Sequence, residues 1–306
     1  MYSPFKTLHT DPIRLQQMAT CLTMVRRFFA DRDVMEVLTP ALAATTVPDP
    51  HIASIACGLH AANTTAYLQT SPEFAMKRLL AAGSGCIYQM ASAFRDDAAS
   101  PIHKVEFTLL EWYRVGWDYH ALIQEVHALL QLFWPDMPLV VRSYQEIFLD
   151  WLGIDIPTIT LADLQALLVE QAQITSTFTS IDAALDAAMS LLIQPQLQQI
   201  PLLCIRDYPL SQAALARPST CNPAVAERFE FFLHGVELAN GFSELTDPVE
   251  QRRRFEKDNV MRAAMGLPVR ELDEDFLAAL PTMPDCAGVA LGIDRLFMQW
   301  ASISTI

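Results

Sequence analysis

FEFFLHGVELANGF, residues 229–242, carries the fold in its pattern. His234-Gly235 sits between two strand-like runs and predicts a two-residue hairpin turn. With that turn, Leu233 faces Val236, Phe232 faces Glu237, and Glu230 faces Ala239. Glu230 shares its face with Phe232, hence with Glu237, so the two acids are diagonal neighbours roughly 5–8 Å apart. Strict alternation puts Glu244 on the other face, and a bulge at Asn240-Gly241 would bring it back. Burying an unpaired carboxylate is costly. The acids therefore either face water or hold a cation, and their spacing suits one or two divalent ions shared with phosphate oxygens.

The same strand-and-turn grammar recurs outward from this hairpin. CIYQMASAF (86–94) and VEFTLLEWYRV (105–115) read as two strands joined by a polar loop, 95–104. LLCIRDY (202–208) is a further strand, and VAL (289–291) leads into a last helix from Gly292. At the other end, residues 13–32 read as an amphipathic helix, with Ile13, Met18, Leu22, Val25 and Phe29 at 3–5 residue steps. VMEVLTP (34–40) reads as a strand stopped by Pro40. Residues 41–65 are Ala/Thr/Pro-rich and read as irregular. Ser71-Pro72-Glu73 signals a helix start, with Ser71 as N-cap, Pro72 at the first position and an acid in the first turn. Helices are further expected over 118–134, 143–152, 248–265 and 273–280, and a small helical insertion around 158–200. Strands and helices do not alternate regularly. The hairpin-like pairs predict an α+β fold, a mainly antiparallel sheet flanked by helices, in one domain over 1–306.

Bulk properties narrow the function. The 306 residues carry a net charge of −14, with 21 Lys and Arg against 35 Asp and Glu. The basic footprint of a nucleic-acid binder is missing. The densest basic run, Arg252-Arg253-Arg254, reads as a solvated helix face. Six cysteines form no C-x-x-C pair, the opening MYSPFKTLHTDP lacks the apolar core of a secretory signal, and no run is long enough to span a membrane. A reducing, cytoplasmic setting is expected.

Two more stretches carry chemistry. In AFRDDAASPIHKVEFTLLEWYR (93–114), Arg95 stands where a strand gives way to a loop, and His103 and Phe107 lie on the return. Such an arginine can grip a phosphate bidentately, and Phe107 can stack on a purine. In GVALGIDRLFM (288–298), two glycines permit close backbone approach and Arg295 follows at the head of a helix. Taken singly, the first also fits an ordinary hairpin with a charged tip, and the second a packing motif.

Together the stretches resemble a known family. F-R-x-acid followed by E-F-T-x-x-E, and the late G-x-x-x-G-x-D-R, look like motifs 2 and 3 of the class II aminoacyl-tRNA synthetases. FFADRDVMEVLTPAL resembles motif 1, the dimer-forming helix and strand. ELANGFSEL and TSPEFAMKRLL resemble the lysyl branch. The resemblance runs from about residue 13 to residue 298. It leaves no room before motif 1 for an anticodon-binding domain, so the chain is most similar to the short lysyl-synthetase paralogues that ligate β-lysine to elongation factor P. Asp97 stands where motif 2 usually has Glu, and His103-Lys104-Val105-Glu106-Phe107 departs from the usual H-N-P-E-F.

The resemblance implies roles. Arg95 would hold the α-phosphate of ATP and Arg295 the γ-phosphate, as the catalytic pair. Asp97, His103, Phe107 and Gly292 would complete the ATP site, and Glu230 and Glu237 would hold Mg²⁺. Ser71, Glu73, Glu111 and Tyr113 would line the amino-acid pocket, together with Asn240, Phe242, Glu244 and Ala290. Glu111 lies four residues past Phe107, an even spacing that lets both face one cleft. The expected partners are ATP, (R)-β-lysine or lysine, elongation factor P and a second copy of the chain, with no tRNA and no membrane. Two other readings stay open: an adenylate-forming lysine ligase with another acceptor, such as tRNA or a small amine, and a non-catalytic paralogue.

Overall fold

The computed structural model describes residues 11–97 and 104–303. They form two compact units, one running to Phe133 and resuming at Ser243, the other Trp134–Phe242.

The first unit opens with α1 (Pro12–Ala30). Asp11 caps it, accepting from the Ile13 amide at 3.0 Å, and Pro12 occupies the first turn. The packed face is Cys21, Val25, Phe28 and Phe29, whereas Ile13 is 66 % exposed and does not belong to it. The extended segment shrinks to a two-residue strand, β1 (Met35–Glu36). Residues 41–65, expected to be irregular, instead contribute β2 (Leu42–Ala43) and β3 (Ala56–Leu59), which join β4 (Thr64–Leu68) in a small antiparallel sheet ordered β2-β4-β3. Asn63 makes the tight β3–β4 turn possible with φ near 47°, a conformation Asn tolerates. Helix α2 (Glu73–Ala81) follows. Pro72, not Ser71, stands at its N-cap, and no side chain caps it.

Strands β5 (Ile87–Phe94) and β6 (Glu106–Val115) pair antiparallel, with Gln89 opposite Glu111 and Ala93 opposite Phe107. Phe29 of α1 stacks on Tyr88 with ring centroids 4.5 Å apart and meets Trp112 edge-on, which fixes the helix to the sheet. α3 (Tyr119–Leu130) is capped by Asp118.

The second unit contains β7 (Val140–Ser143), α4 (Tyr144–Leu152), α5 (Leu161–Ala172) and α6 (Ile181–Ala188). A π-turn at Met189–Ile193 leads into α7 (Gln194–Leu197), then β8 (Leu202–Pro209), β9 (Val225–Leu233) and β10 (Val236–Ser243). Its strands run in the order β10-β9-β8-β7, all antiparallel except β7 with β8. Phe148, Leu164, Leu168, Leu185, Ile193 and Leu203 share its core.

The β9–β10 hairpin turns at His234 and Gly235, both at positive φ (48° and 80°), the signature of a primed turn. Leu233 opposes Val236 and Phe232 opposes Glu237, as expected. The register then slips between Glu237 and Ala239, so Glu230 faces Asn240 and not Ala239. The bulge is thus two residues earlier than Asn240-Gly241. The extra residue lets Leu238 and Ala239, each 2 % exposed, both bury their side chains. It also returns Asn240 and Phe242 to the Glu230 face.

The chain completes the first unit with α8 (Pro248–Ala264), α9 (Glu274–Ala279), β11 (Cys286–Gly292) and α10 (Ile293–Trp300). The sheet order is β1-β5-β6-β11, with β1 and β5 the parallel pair. Arg252-Arg253-Arg254 is not a wholly solvated run: Arg252 pairs with Glu274 and Arg253 with Glu250, but Arg254 is 6 % exposed and donates to Glu250 at 2.8 Å. The chain is α+β, with a mainly antiparallel arrangement of strands flanked by helices.

Candidate active site

Strand β6 points Glu111 and Tyr113 to one face, two residues apart. Tyr113 donates its hydroxyl to Glu111 Oε1 at 2.6 Å. On the adjacent strand β11, Ala290 stands opposite Glu111 and Gly288 opposite Tyr113. Glu244, just after β10, is tied in through its own amide, which donates to the Cys286 carbonyl at 3.0 Å. Helix α2 then supplies Glu73 and, one turn on, Lys77.

Lys77 is the residue the sequence did not single out. It is 1 % exposed, with Nζ 2.6 Å from Glu73 Oε1 and 2.5 Å from Glu244 Oε2. Its only signal was the E-x-x-x-K spacing, which on most helices marks a surface pair. Glu111 Oε2 and Glu244 Oε1 are buried and accept no hydrogen bond among the described residues. Such orphaned acceptors are rare in folded proteins and mark a place where something else belongs.

Electrostatics follow from the burial. Desolvation, with the charges of Glu73 and Glu244 added, pushes the Glu111 carboxyl up to about 8, against the hydrogen bond from Tyr113 and the charge of Lys77. Desolvation likewise carries Glu244 up to about 8, with Lys77 opposing. Burial alone would lower Lys77, but Glu244 and Glu73 outweigh it and the ammonium is held more firmly than usual. Gly288 leaves no room for a side chain. A Cβ there would collide with Glu244 Oε1 and with the edge of the Tyr113 ring. The structure thus brings Glu73, Glu111, Tyr113, Glu244 and Ala290 together, while Ser71 lies one residue before the α2 N-cap.

The residues of this unit expected to contact phosphate lie nearby in sequence. Arg95 follows β5. Its Nη2 reaches the Thr70 carbonyl at 3.5 Å, and its guanidinium sits 5.2 Å from the centre of the Phe107 ring. Asp97 is exposed. His103 lies outside the described residues. Gly292 is the N-cap of α10, and Arg295 is in the first turn. Asp294 accepts from the Thr108 amide at 2.6 Å and so anchors that helix to β6.

The second unit holds the other acids. Glu230 is ion-paired with Arg228, accepts from Tyr208 Oη at 2.6 Å, and is 3.4 Å from Asn240 Nδ2. Burial raises its carboxyl, Arg228 opposes, and the Glu237 charge raises it further. Arg228 also donates to Asn240 Oδ1 at 3.2 Å, and its guanidinium lies over the Tyr208 ring. Phe242 packs against the small cluster of Ala213, Ala216 and Ala226. Sequence reading missed Arg228 and Tyr208, which lack any spacing signal of their own.

The fold and these carboxylate and arginine sets define a class. Residues 12–306 match the family described as tRNA synthetases class II (D, K and N), and the chain belongs to it. Among its relatives is the elongation factor P–(R)-β-lysine ligase of Vibrio cholerae serotype O1, 45 % identical over 299 residues, which cover 93 % of this chain and 90 % of that protein. The proteins of the same name from Mannheimia succiniciproducens (44 % identical; 97 % and 91 % covered) and Photorhabdus laumondii (46 %; 93 % and 90 %) are similar to it over comparable spans. Among the described residues no helix is long and apolar enough to cross a membrane.

Proposed function

We infer that this protein activates (R)-β-lysine with ATP and transfers the acyl group to a lysine side chain of elongation factor P. The observation that carries the reading is the acid cluster of Glu73 with the buried Glu111 and Glu244, in which Glu111 Oε2 and Glu244 Oε1 are unused. A diamino acid supplies the two ammonium groups those oxygens require.

In the first step a substrate carboxylate oxygen attacks the α-phosphorus of ATP and pyrophosphate leaves. In the second, the acceptor amine attacks the acyl carbon, loses a proton, and AMP departs. Arg95 binds the α-phosphate and Arg295 the γ-phosphate, fixed cations where charge develops. Gly292 and Asp97 belong to the same nucleotide site, and Phe107 stacks on the adenine. Ser71, Tyr113, Asn240 and Phe242 help orient the amino acid, and positioning supplies much of the rate. Glu230 and Glu237 suit Mg²⁺: both offer hard oxygen donors on one hairpin face, and their mutual repulsion favours a shared cation. Among the described residues no group of three or more His, Cys, Asp or Glu stands ready for a metal. Phosphate oxygens and water would therefore complete the shell, as is usual for Mg²⁺. A bound ion would neutralise phosphate charge. The protein works without tRNA, in the cytoplasm, as a homodimer. Exposed apolar side chains on the motif 1 elements, Ile13, Leu15, Met35 and Leu38 at 50–86 % exposure, support that assembly.

The test is amino-acid-dependent ATP–pyrophosphate exchange without tRNA, using (R)-β-lysine, α-lysine and aspartate, followed by transfer of labelled acyl group to elongation factor P. Exchange with aspartate alone, or acylation of tRNA in preference to the protein, would overturn the reading. Ala290 offers a finer check, because its methyl group stands beside Glu111 across the strand pair. One methyl on a pocket wall alters fit by ~1–3 kcal/mol. Ala290→Gly is expected to raise the α-lysine to β-lysine ratio of kcat/KM about tenfold, and an unchanged ratio would remove Ala290 from the specificity argument.

A further inference from the structure

We propose that Lys77 is a positioning residue of the amino-acid pocket, a fixed internal cation that clamps Glu73 and Glu244 and cancels one of the pocket's three negative charges. The proposal rests on the functional reading above and deepens it. Two features carry it. The ammonium bridges acids from separate elements, 2.6 Å from Glu73 on its own helix and 2.5 Å from Glu244 beyond β10. The bridge uses Glu244 Oε2 and leaves Oε1 unpartnered, alongside the unpartnered Glu111 Oε2.

The charge count then matches one kind of ligand. Once all three carboxylates are ionised, one buried ammonium leaves two negative charges in the pocket. A diamino acid whose carboxylate is being converted to an acyl phosphate carries two positive charges. Without Lys77 the pocket would be over-charged by one, and the surplus would be met by a bound proton. The groups facing Lys77 and its partners are Glu73 on α2, Glu111 and Tyr113 on β6, Glu244, and the Cys286 thiol on β11, which burial pushes up. The Phe276 ring of α9 lies 5.8 Å from the ammonium and adds no charge of its own.

The sign of the pH effect follows. Glu111 and Glu244 retain protons to about 8 in the free pocket. A dicationic ligand binds the ionised form, so kcat/KM for the amino acid rises from about pH 6 to pH 8 in the intact protein. Removing Lys77 removes the cation that holds Glu244 down, and that limb moves to higher pH.

The experiment is exchange kinetics of Lys77→Gln and Lys77→Arg beside the intact protein, over pH 6–9, with thermal unfolding of each. Lys77→Gln is expected to raise KM for (R)-β-lysine about 30-fold or more, leave KM for ATP within about twofold, and shift the pH limb upward. Lys77→Arg keeps the charge, so its limb stays in place while KM rises through altered geometry. A purely structural lysine would instead lower kcat and raise both KM values together without moving the limb, and that result, or unchanged kinetics in Lys77→Gln, overturns the proposal. If Lys77→Gln does not fold, Lys77→Arg decides: an unmoved limb with a raised amino-acid KM supports the role, and a moved limb refutes it. If the intact protein activates a different amino acid, the functional reading fails separately, and the same variants are read with that acid.

Discussion

Gly288→Ala is expected to abolish amino-acid-dependent pyrophosphate exchange while Mg-ATP still binds. The added methyl group would overlap Glu244 Oε1 and the Tyr113 ring edge. Neither neighbour can step aside cheaply. Tyr113 is 2 % exposed and bonded to Glu111, and Glu244 is 2 % exposed and clamped by Lys77. Nor can the backbone retreat, because β11 is paired residue for residue with β6 from Cys286 to Gly292. Overpacking of this kind costs ~1–3 kcal/mol in stability. The larger cost falls on geometry, where an ångström of displacement at the reacting groups costs about 100-fold in rate. Exchange kinetics measures the second effect and calorimetric Mg-ATP titration controls for the fold. Near-normal exchange by this variant would mean that the pocket does not lie where Gly288, Tyr113 and Glu244 meet.

Glu244→Leu should produce the largest loss of stability of any single change in the pocket. It leaves Lys77, 1 % exposed, with Glu73 as its remaining carboxylate clamp. Breaking a buried ion pair from one side costs ~3–5 kcal/mol, because the surviving charge stays in a poor solvent. That is a large share of the ~5–15 kcal/mol by which folded domains are stable. Replacing both partners, Lys77→Met with Glu244→Leu, should recover part of the loss, since an apolar pair of similar volume satisfies the site. Chemical denaturation of the three proteins gives the comparison. A Glu244→Leu protein as stable as the parent would show that the contact contributes nothing net.

Much of this was legible because it is local. The His234-Gly235 turn, the first two hairpin pairs and the β5–β6 couple follow from side-chain alternation and a primed turn. The motif residues proposed for the site came from the resemblance to the class II synthetase motifs, in their order along the chain. What stayed hidden depends on tertiary burial. The hairpin bulge is placed by the need to bury Leu238 and Ala239 together, which alternation does not encode. Strands β2 and β3 are two and four residues long, too short for a periodic signal, and lie in Ala- and Pro-rich sequence. Lys77 looked like half of an ordinary surface pair with Glu73, and only the arrival of Glu244 from 167 residues further along turns it into an interior cation. Ser71 read as a cap because Ser-Pro-Glu is a sound cap signal, yet Pro72 itself occupies the position.

The slip between Glu237 and Ala239 has a bearing on how this chain can change. A strand is a two-phase ruler, and here one surplus residue resets the phase. Substitutions along β10 alter one side chain each, and deleting Leu238 would only remove the surplus, since plain alternation after Glu237 would still set Ala239 opposite Phe231 and Asn240 opposite Glu230. Adding one more residue there, with the single bulge kept, would instead set Ala239 opposite Glu230 and swing Asn240 away from Glu230 and Arg228. Length is therefore inflexible in one direction: the strand can lose its surplus residue and keep the acid face, but an added residue would be read as a loss of that face even if every residue type survived.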